Sequence, residues 1–211
     1  MKANLLEYHR GWFEFAYLTG WRVKSEVLTR QWRHVDFKAR VIRLEPGETK
    51  NGKGRTFPID TLPELKAVLE AQRAYTDKWE RINGEIIPWV FHREGRPFRD
   101  VRQVWRTASK RAGLMVPKTD NEGNVFVGKD GKPLMKTLRI RHDFRRTAVR
   151  RLERAGVSRS VAKQLVGHLS DAMYDRYAIT NEQDLREGLE KVARLNEADG
   201  TKVLPMKNGT R

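Results

Sequence analysis

Residues 142–177 read HDFRRTAVRRLERAGVSRSVAKQLVGHLSDAMYDRY, and this stretch governs how the rest of the chain is interpreted. A basic helix is predicted from His142 to Ala155, stopped by Gly156. A second helix, capped by Ser158, runs to Val166 and stops at Gly167, and a third, short one follows Ser170. His142 and Arg145 are three residues apart, so on a helix they share a face. That face pairs a proton-handling imidazole with a permanent cation whose planar donor fork suits a phosphodiester. His168 follows the helix-ending Gly167, where a turn can present it to a cleft. Tyr177 comes nine residues later on the next short helix. Each group also has an ordinary reading. His142 could be incidental on a solvated basic helix, His168 a satisfied turn histidine, and Tyr177 a core tyrosine beside Met173. Only the combination is specific.

Working outward, the segment Leu5 to Leu18 reads as a helix with Leu5, Trp12 and Ala16 near one face, ended by Thr19-Gly20. Ser25 can cap a helix from Glu26 to Trp32. Phe37 to Leu44 and Arg55 to Ile59 read as strands of a small antiparallel sheet, with turns at Pro46-Gly47 and Gly52-Lys53-Gly54. Thr61 and Pro63 open a long helix ending near Gly84, and Ile86 to Phe91 is a short apolar stretch. A helix is predicted over Pro97 to Ala112, apolar on one side and carrying Arg99, Arg102, Arg106 and Lys110 on the other. Turn signals at Asp120 to Gly123 and Lys129 to Gly131 flank Val125 to Val127, so residues 114–137 are expected to form a hairpin or a mobile insertion. A polar helix is expected from Asn181 to Asn196, followed by a disordered tail.

The chain has 211 residues and a formal charge of +16, from 43 Lys and Arg against 27 Asp and Glu. A surplus of that size makes a polyanion the default partner. The absence of cysteine excludes disulfides, thiolate chemistry and Cys-ligated zinc. No carboxylate cluster has metal-ligand spacing, so no metal and no other cofactor is expected. No apolar run approaches the roughly 20 residues that span a bilayer, and the start MKANLLEYHRGW lacks an apolar signal core. The expected location is the cytoplasm of a bacterial or phage-infected cell, with no membrane partner.

Taken together, H-x-x-R, then G-H, then a tyrosine nine residues on resembles the second signature box of the tyrosine recombinase (phage integrase) family along all of residues 142–177. The segment Thr19-Gly20-Trp21-Arg22, followed by Ser25-Glu26-Val27-Leu28, looks like the family's first box, which supplies its first arginine. It departs from the pattern in one respect: Glu26 lies four residues after Arg22, where three is usual. Thr49-Lys50-Asn51-Gly52 falls on the turn between two strands, where the family places its catalytic lysine. Lys50 is taken for that role because the family's lysine opens the turn; Lys53 is a neighbouring competitor.

The resemblance covers roughly residues 5–190 and implies an α+β, mainly helical catalytic domain with a small antiparallel β-sheet. Residues 1–196 would form it, with 114–137 as an insertion and 197–211 as a flexible tail. The N-terminal DNA-clamping domain that family members usually carry would be absent. The implied chemistry is strand cutting and rejoining through a 3′-phosphotyrosyl intermediate. Tyr177 would be the nucleophile, and Arg22 and Arg145 the clamps on the non-bridging oxygens. His168 would donate to those oxygens and His142 would accept the tyrosine proton. Lys50 would protonate the departing 5′ oxygen, and Glu26 would orient Arg22. The arginine-rich faces, including Arg99, Arg102, Arg106, Lys110, Arg141 and Arg146, would lie along the DNA backbone. The implied partner is double-stranded DNA, with a homotetramer on two duplexes for a full-length protein. Two other functions fit the residues: type IB topoisomerase-like DNA relaxation, and a DNA-binding module that never cuts.

Overall fold

The computed structural model describes residues 1–49, 52–167, 171–175 and 182–198. The chain is mainly helical with small antiparallel sheets. Helix α1 (Glu7–Thr19) buries Trp12, Phe15 and Ala16 and ends at Gly20, whose φ of 67° closes the helix through a left-handed cap. Next come β1 (Val35–Asp36), β2 (Val41–Leu44) and β3 (Arg55–Pro58), paired antiparallel in that order with Ile42 opposite Phe57. Helix α2 (Pro63–Asn83) carries Pro63 in its first turn and packs Leu65, Val68 and Leu69 inward.

The hairpin β4–β5 (His92–Arg93 and Arg96–Pro97) leads into α3 (Arg102–Arg111). A second hairpin, β6–β7 (Met115–Pro117 and Met135–Thr137), precedes α4 (Asp143–Arg154), α5 (Arg159–Val166), α6 (Asp171–Asp175) and α7 (Glu182–Ala198). One apolar core joins α1, the three-stranded sheet, α2, α3 and Phe144 of α4. Phe144 sits edge-on to Phe13 at 5.0 Å and to Trp105 at 5.4 Å, so the start of α4 is fixed by aromatic packing. A smaller cluster of Ala148, Val149, Ala162, Val166 and Tyr174 joins α4, α5 and α6.

Several expectations need correction. The strand predicted over Phe37 to Leu44 is interrupted, because Asp36 Oδ1 accepts the Ala39 amide at 2.7 Å and Arg40 adopts φ 59°. Residues 37–40 are thus the β1–β2 turn. The helix predicted from Pro97 begins only at Arg102: Pro97 pairs with His92, and Asp100 takes the Arg102 amide at 2.9 Å. Arg99 therefore lies ahead of the helix. Ser158 occupies the N-cap position of α5 without a side-chain capping bond. Of the two forms expected for residues 114–137, the structure has the hairpin, extended by bridges Thr119–Val125 and Val127–Pro133. Helix α7 is not uniformly polar, since Leu185, Leu189, Val192 and Leu195 form an exposed apolar stripe. The expected tail lies largely outside the described residues.

Two buried histidines away from α4 are held neutral by their bonding. His92 accepts the Gly95 amide at Nδ1 (3.0 Å) and meets Thr76 Oγ1 at Nε2 (2.9 Å). Thr76 Oγ1 itself donates to Gln72 O, so only a neutral ring protonated on Nε2 fits. His9 accepts Trp12 Nε1 at Nδ1, 3.0 Å away. Burial pushes both rings down to about 4, helped by Arg93 at His9 and by Arg73 at His92, where Glu80 acts the other way. Both folded values lie below the ordinary 6.5, so the unfolded chain takes up these protons first. Their contribution to stability is complete above pH 6.5 and drains away as pH falls toward about 4. Thermal melts followed by circular dichroism should show the melting temperature declining across that interval; a flat profile would contradict this bonding.

Candidate active site

The site forms where the end of α1, the turn after it, strand β3 and the first turn of α4 meet. Its centre is Glu26, whose side chain is fully buried. Residues 23–27 make a single π-helical turn, with Val27 N bonded to Arg22 O (3.1 Å) and Leu28 N to Val23 O (2.9 Å). A π turn takes up one more residue than an α turn. This explains how an Arg-to-Glu spacing of four still yields a close pair, and why the expected helix from Glu26 to Trp32 is absent. Glu26 Oε1 accepts Arg22 Nη1 at 2.6 Å, and Oε2 accepts the Arg22 backbone amide at 2.8 Å.

Arg145 projects from the first turn of α4 and is 2% exposed. Its Nη1 donates to Gly20 O at 3.2 Å and its Nη2 to Gly167 O at 2.9 Å. These carbonyls belong to the C-terminal caps of α1 and α5, the negative ends of two helix dipoles. Arg145 Nη1 also lies 3.8 Å from Glu26 Oε2. Packing against Ala148 and Arg55 accounts for glycine at both caps. A Cβ on Gly20 would stand 2.5 Å from that of Ala148, and one on Gly167 would stand 1.7 Å from Arg55 Nη1.

A third guanidinium, Arg55, reaches Glu26 Oε2 at 2.8 Å from the start of β3. Burial alone would raise the Glu26 carboxyl, but Arg55, the Arg22 amide, Arg145 and the Arg22 side chain together hold it below the ordinary carboxylate range. Glu26 therefore stays ionised, and the four side chains carry a net charge of +2. Arg22, with its side chain 24% exposed, is the most open of the three cations. Beneath them Arg30 is fully buried and bonds Glu26 O (2.8 Å), Arg43 O (3.0 Å) and Glu48 Oε2 (2.9 Å). The sequence reading missed Arg55 and Arg30. Arg55 reads locally as the first residue of a strand, and its partners come from distant segments.

His142 stands exposed at the N-cap of α4. Partial desolvation, then Arg145 and Arg22, keep its ring below its ordinary value, against the opposite pull of a backbone bond and Asp143. These influences favour the neutral ring, the form able to accept a proton. Lys50, His168 and Tyr177 lie outside the described residues. Lys53 is exposed. Tyr174, the tyrosine nearest Tyr177 in sequence, is 0% exposed in the α4–α6 cluster, and burial together with Glu153 raises its hydroxyl.

The basic residues assigned to DNA have several different settings. Arg106 and Lys110, with Arg111, line a groove of about 840 Å³ between α3 and the β6–β7 hairpin. Arg102 is exposed and paired with Asp100, and Arg146 is paired with Asp143 at 3.5 Å. Arg99 is exposed and Arg141 half-buried. Trp105 Nε1 donates to Arg139 O at 2.8 Å, tying α3 to the segment that leads into α4.

A mainly helical α+β domain that gathers arginines from two separated sequence boxes around one buried carboxylate is the architecture of an anion-handling site. The phage integrase family profile matches residues 2–184, and the chain belongs to that family. Among solved structures, the Tn1549 transposon integrase (residues 82–397) in complex with circular intermediate DNA is similar, with a TM-score of 0.55 and 19% identity over 87% of this chain and 57% of that one. XerA recombinase matches with a TM-score of 0.55 and 17% identity, over 87% of this chain and 56% of the other. A lambda integrase tetramer bound to a Holliday junction matches at 0.51 and 21% identity, over 83% and 44%. The chain thus spans little more than half the length of these structures at most. The sequence matches no curated protein. No helix among the described residues is long and apolar enough to cross a membrane.

Gly20→Ala tests the packing of the site. The new Cβ meets Ala148 at 2.5 Å on a residue whose φ is +67°. Steric overlap and the left-handed backbone should together destabilise the fold by about 1–3 kcal/mol. Denaturant unfolding measures this, and an unchanged midpoint would contradict it.

Proposed function

We propose that this chain is the catalytic domain, residues 1–196, of a site-specific DNA recombinase that cuts and rejoins strands through a 3′-phosphotyrosyl intermediate. The observation that carries this reading is the set of three guanidiniums on one buried carboxylate. A phosphodiester under attack accumulates charge on its non-bridging oxygens, and fixed cations aimed there lower the barrier most. Arg22 and Arg145 are the proposed clamps. Glu26 and the helix-end carbonyls hold them in place before substrate arrives, so little reorganisation accompanies the reaction.

Tyr177 is the proposed nucleophile. The burial of Tyr174 supports this, because a hydroxyl closed off from solvent in the α4–α6 cluster cannot reach a duplex. A tyrosine hydroxyl attacks poorly until its proton is accepted, and the neutral His142 ring is suited to accept it. His168 would donate to the same oxygens as the arginines, and Lys50 would protonate the departing 5′ oxygen. Both assignments rest on the sequence boxes. Attack breaks the bond from phosphorus to the 5′ oxygen and forms the tyrosyl ester. The ester keeps the phosphate activated for a second strand's 5′ hydroxyl. Double-stranded DNA is the proposed substrate, met along its backbone by Arg99, Arg102, Arg106, Lys110, Arg141 and Arg146. A homotetramer on two duplexes is proposed for the full-length protein, acting in the cytoplasm.

Trapping on a duplex nicked next to the scissile phosphate tests the reading, since loss of the short fragment prevents religation. Wild-type protein and Tyr174→Phe should both give a covalent protein–DNA band on denaturing gels, whereas Tyr177→Phe should give none while retaining DNA affinity within a few-fold. A band that persists in Tyr177→Phe, or none with wild type, would overturn it.

A further inference from the structure

Arg55 meets Trp21, Glu26 and Gly167, although its position at the start of β3 gives it no local signal. Its side chain is only 9% exposed. The guanidinium lies over the Trp21 ring, 5.2 Å from its centroid. Nη2 is 2.8 Å from Glu26 Oε2, and Nη1 occupies the space that a side chain on Gly167 would need. Nε, Nη1 and Nη2 are all buried without a well-aligned hydrogen bond among the described residues, so Nη2 meets Glu26 Oε2 as a close ion pair. A buried guanidinium with unfilled donors is a costly way to cover an indole. Methionine would pack on Trp21 without that desolvation. What it could not do is hold a carboxylate oxygen.

Glu26 has two oxygens to distribute. Oε1 accepts Arg22 Nη1, while Oε2 accepts the Arg22 amide, lies 2.8 Å from Arg55 Nη2 and faces Arg145 at 3.8 Å. Arg55 is thus the side-chain cation closest to Oε2, and it fixes the carboxylate against rotation. The same guanidinium packs against Gly167, whose carbonyl receives Arg145 Nη2 at 2.9 Å. Arg55 therefore supports Arg145 along two routes, through the carboxylate and through the α5 cap.

We infer that Arg55 is a positioning residue for DNA cleavage: it locks Glu26 and the Gly167 cap so that the Arg22 and Arg145 forks hold a fixed geometry toward the phosphate. It acts through these groups and does not touch DNA. The inference rests on the recombinase reading above.

The test is single-turnover covalent cleavage of the nicked duplex at saturating DNA, with affinity measured separately. Arg55→Met should slow cleavage on the order of 10²-fold, the loss associated with small displacements of reacting groups, and leave affinity within a few-fold. In a Glu26→Gln background the same change should cost much less, because the group it acts through is already altered. Arg55→Lys keeps the charge without the fork and should fall between wild type and Arg55→Met; if Arg55→Met fails to fold, a slow but tightly binding Arg55→Lys carries the test. Wild-type cleavage by either folded variant would overturn the inference. So would a full multiplicative loss with Glu26→Gln, or a loss confined to affinity. A wild-type protein that forms no covalent product would instead remove the recombinase reading, and this inference with it.

Discussion

A carboxylate taken fully out of water is unfavourable unless cations and donors surround it, and Glu26 is such a group. Three guanidiniums and one backbone amide converge on its two oxygens. The three guanidiniums come from different parts of the chain: the turn after α1, strand β3 and helix α4. The dependence is mutual. Without Glu26 the three cations would repel one another in a poorly solvated space, and removing one partner of a buried pair typically costs about 3–5 kcal/mol. With it, the cluster keeps a residual positive charge in a defined arrangement.

The rest of the fold is built to keep those partners close. Arg145 grips the carbonyl ends of α1 and α5, so two helices must stop at the same place, and both stop at a left-handed glycine. A side chain at Gly20 would overlap Ala148, and one at Gly167 would displace the Arg55 guanidinium. Phe144, next to Arg145, is packed edge-on to Phe13 and Trp105, which fixes the start of α4 against the main core. The aromatic core therefore sets the direction of Arg145, and the glycine caps set its reach.

Much of this was legible in the sequence because its signals are local. The glycine stops and the apolar periodicity of α1 and α2 each depend on a few consecutive residues, and those elements agree with the structure. The errors arose where a distant partner or a side chain overrode the local pattern. The strand predicted from Phe37 breaks because the Asp36 side chain captures the Ala39 amide, and the helix predicted from Pro97 starts late because that residue pairs with His92. The odd spacing of Arg22 and Glu26 is resolved by a π turn that no periodicity template contains. Arg55 was invisible for a similar reason: its role depends on Trp21, Glu26 and Gly167, none of them a sequence neighbour. The family boxes reached Lys50, His168 and Tyr177, which lie outside the described residues.

If Glu26 organises the cations that receive the phosphate, its charge must matter to the chemical step more than to DNA binding. The most direct measurement is the single-turnover rate of covalent cleavage by Glu26→Gln at saturating nicked duplex, on protein shown to be folded by circular dichroism. The account predicts a rate lower by on the order of 10²-fold or more, with DNA affinity within a few-fold of wild type. A folded Glu26→Gln protein that cleaves at the wild-type rate would contradict it.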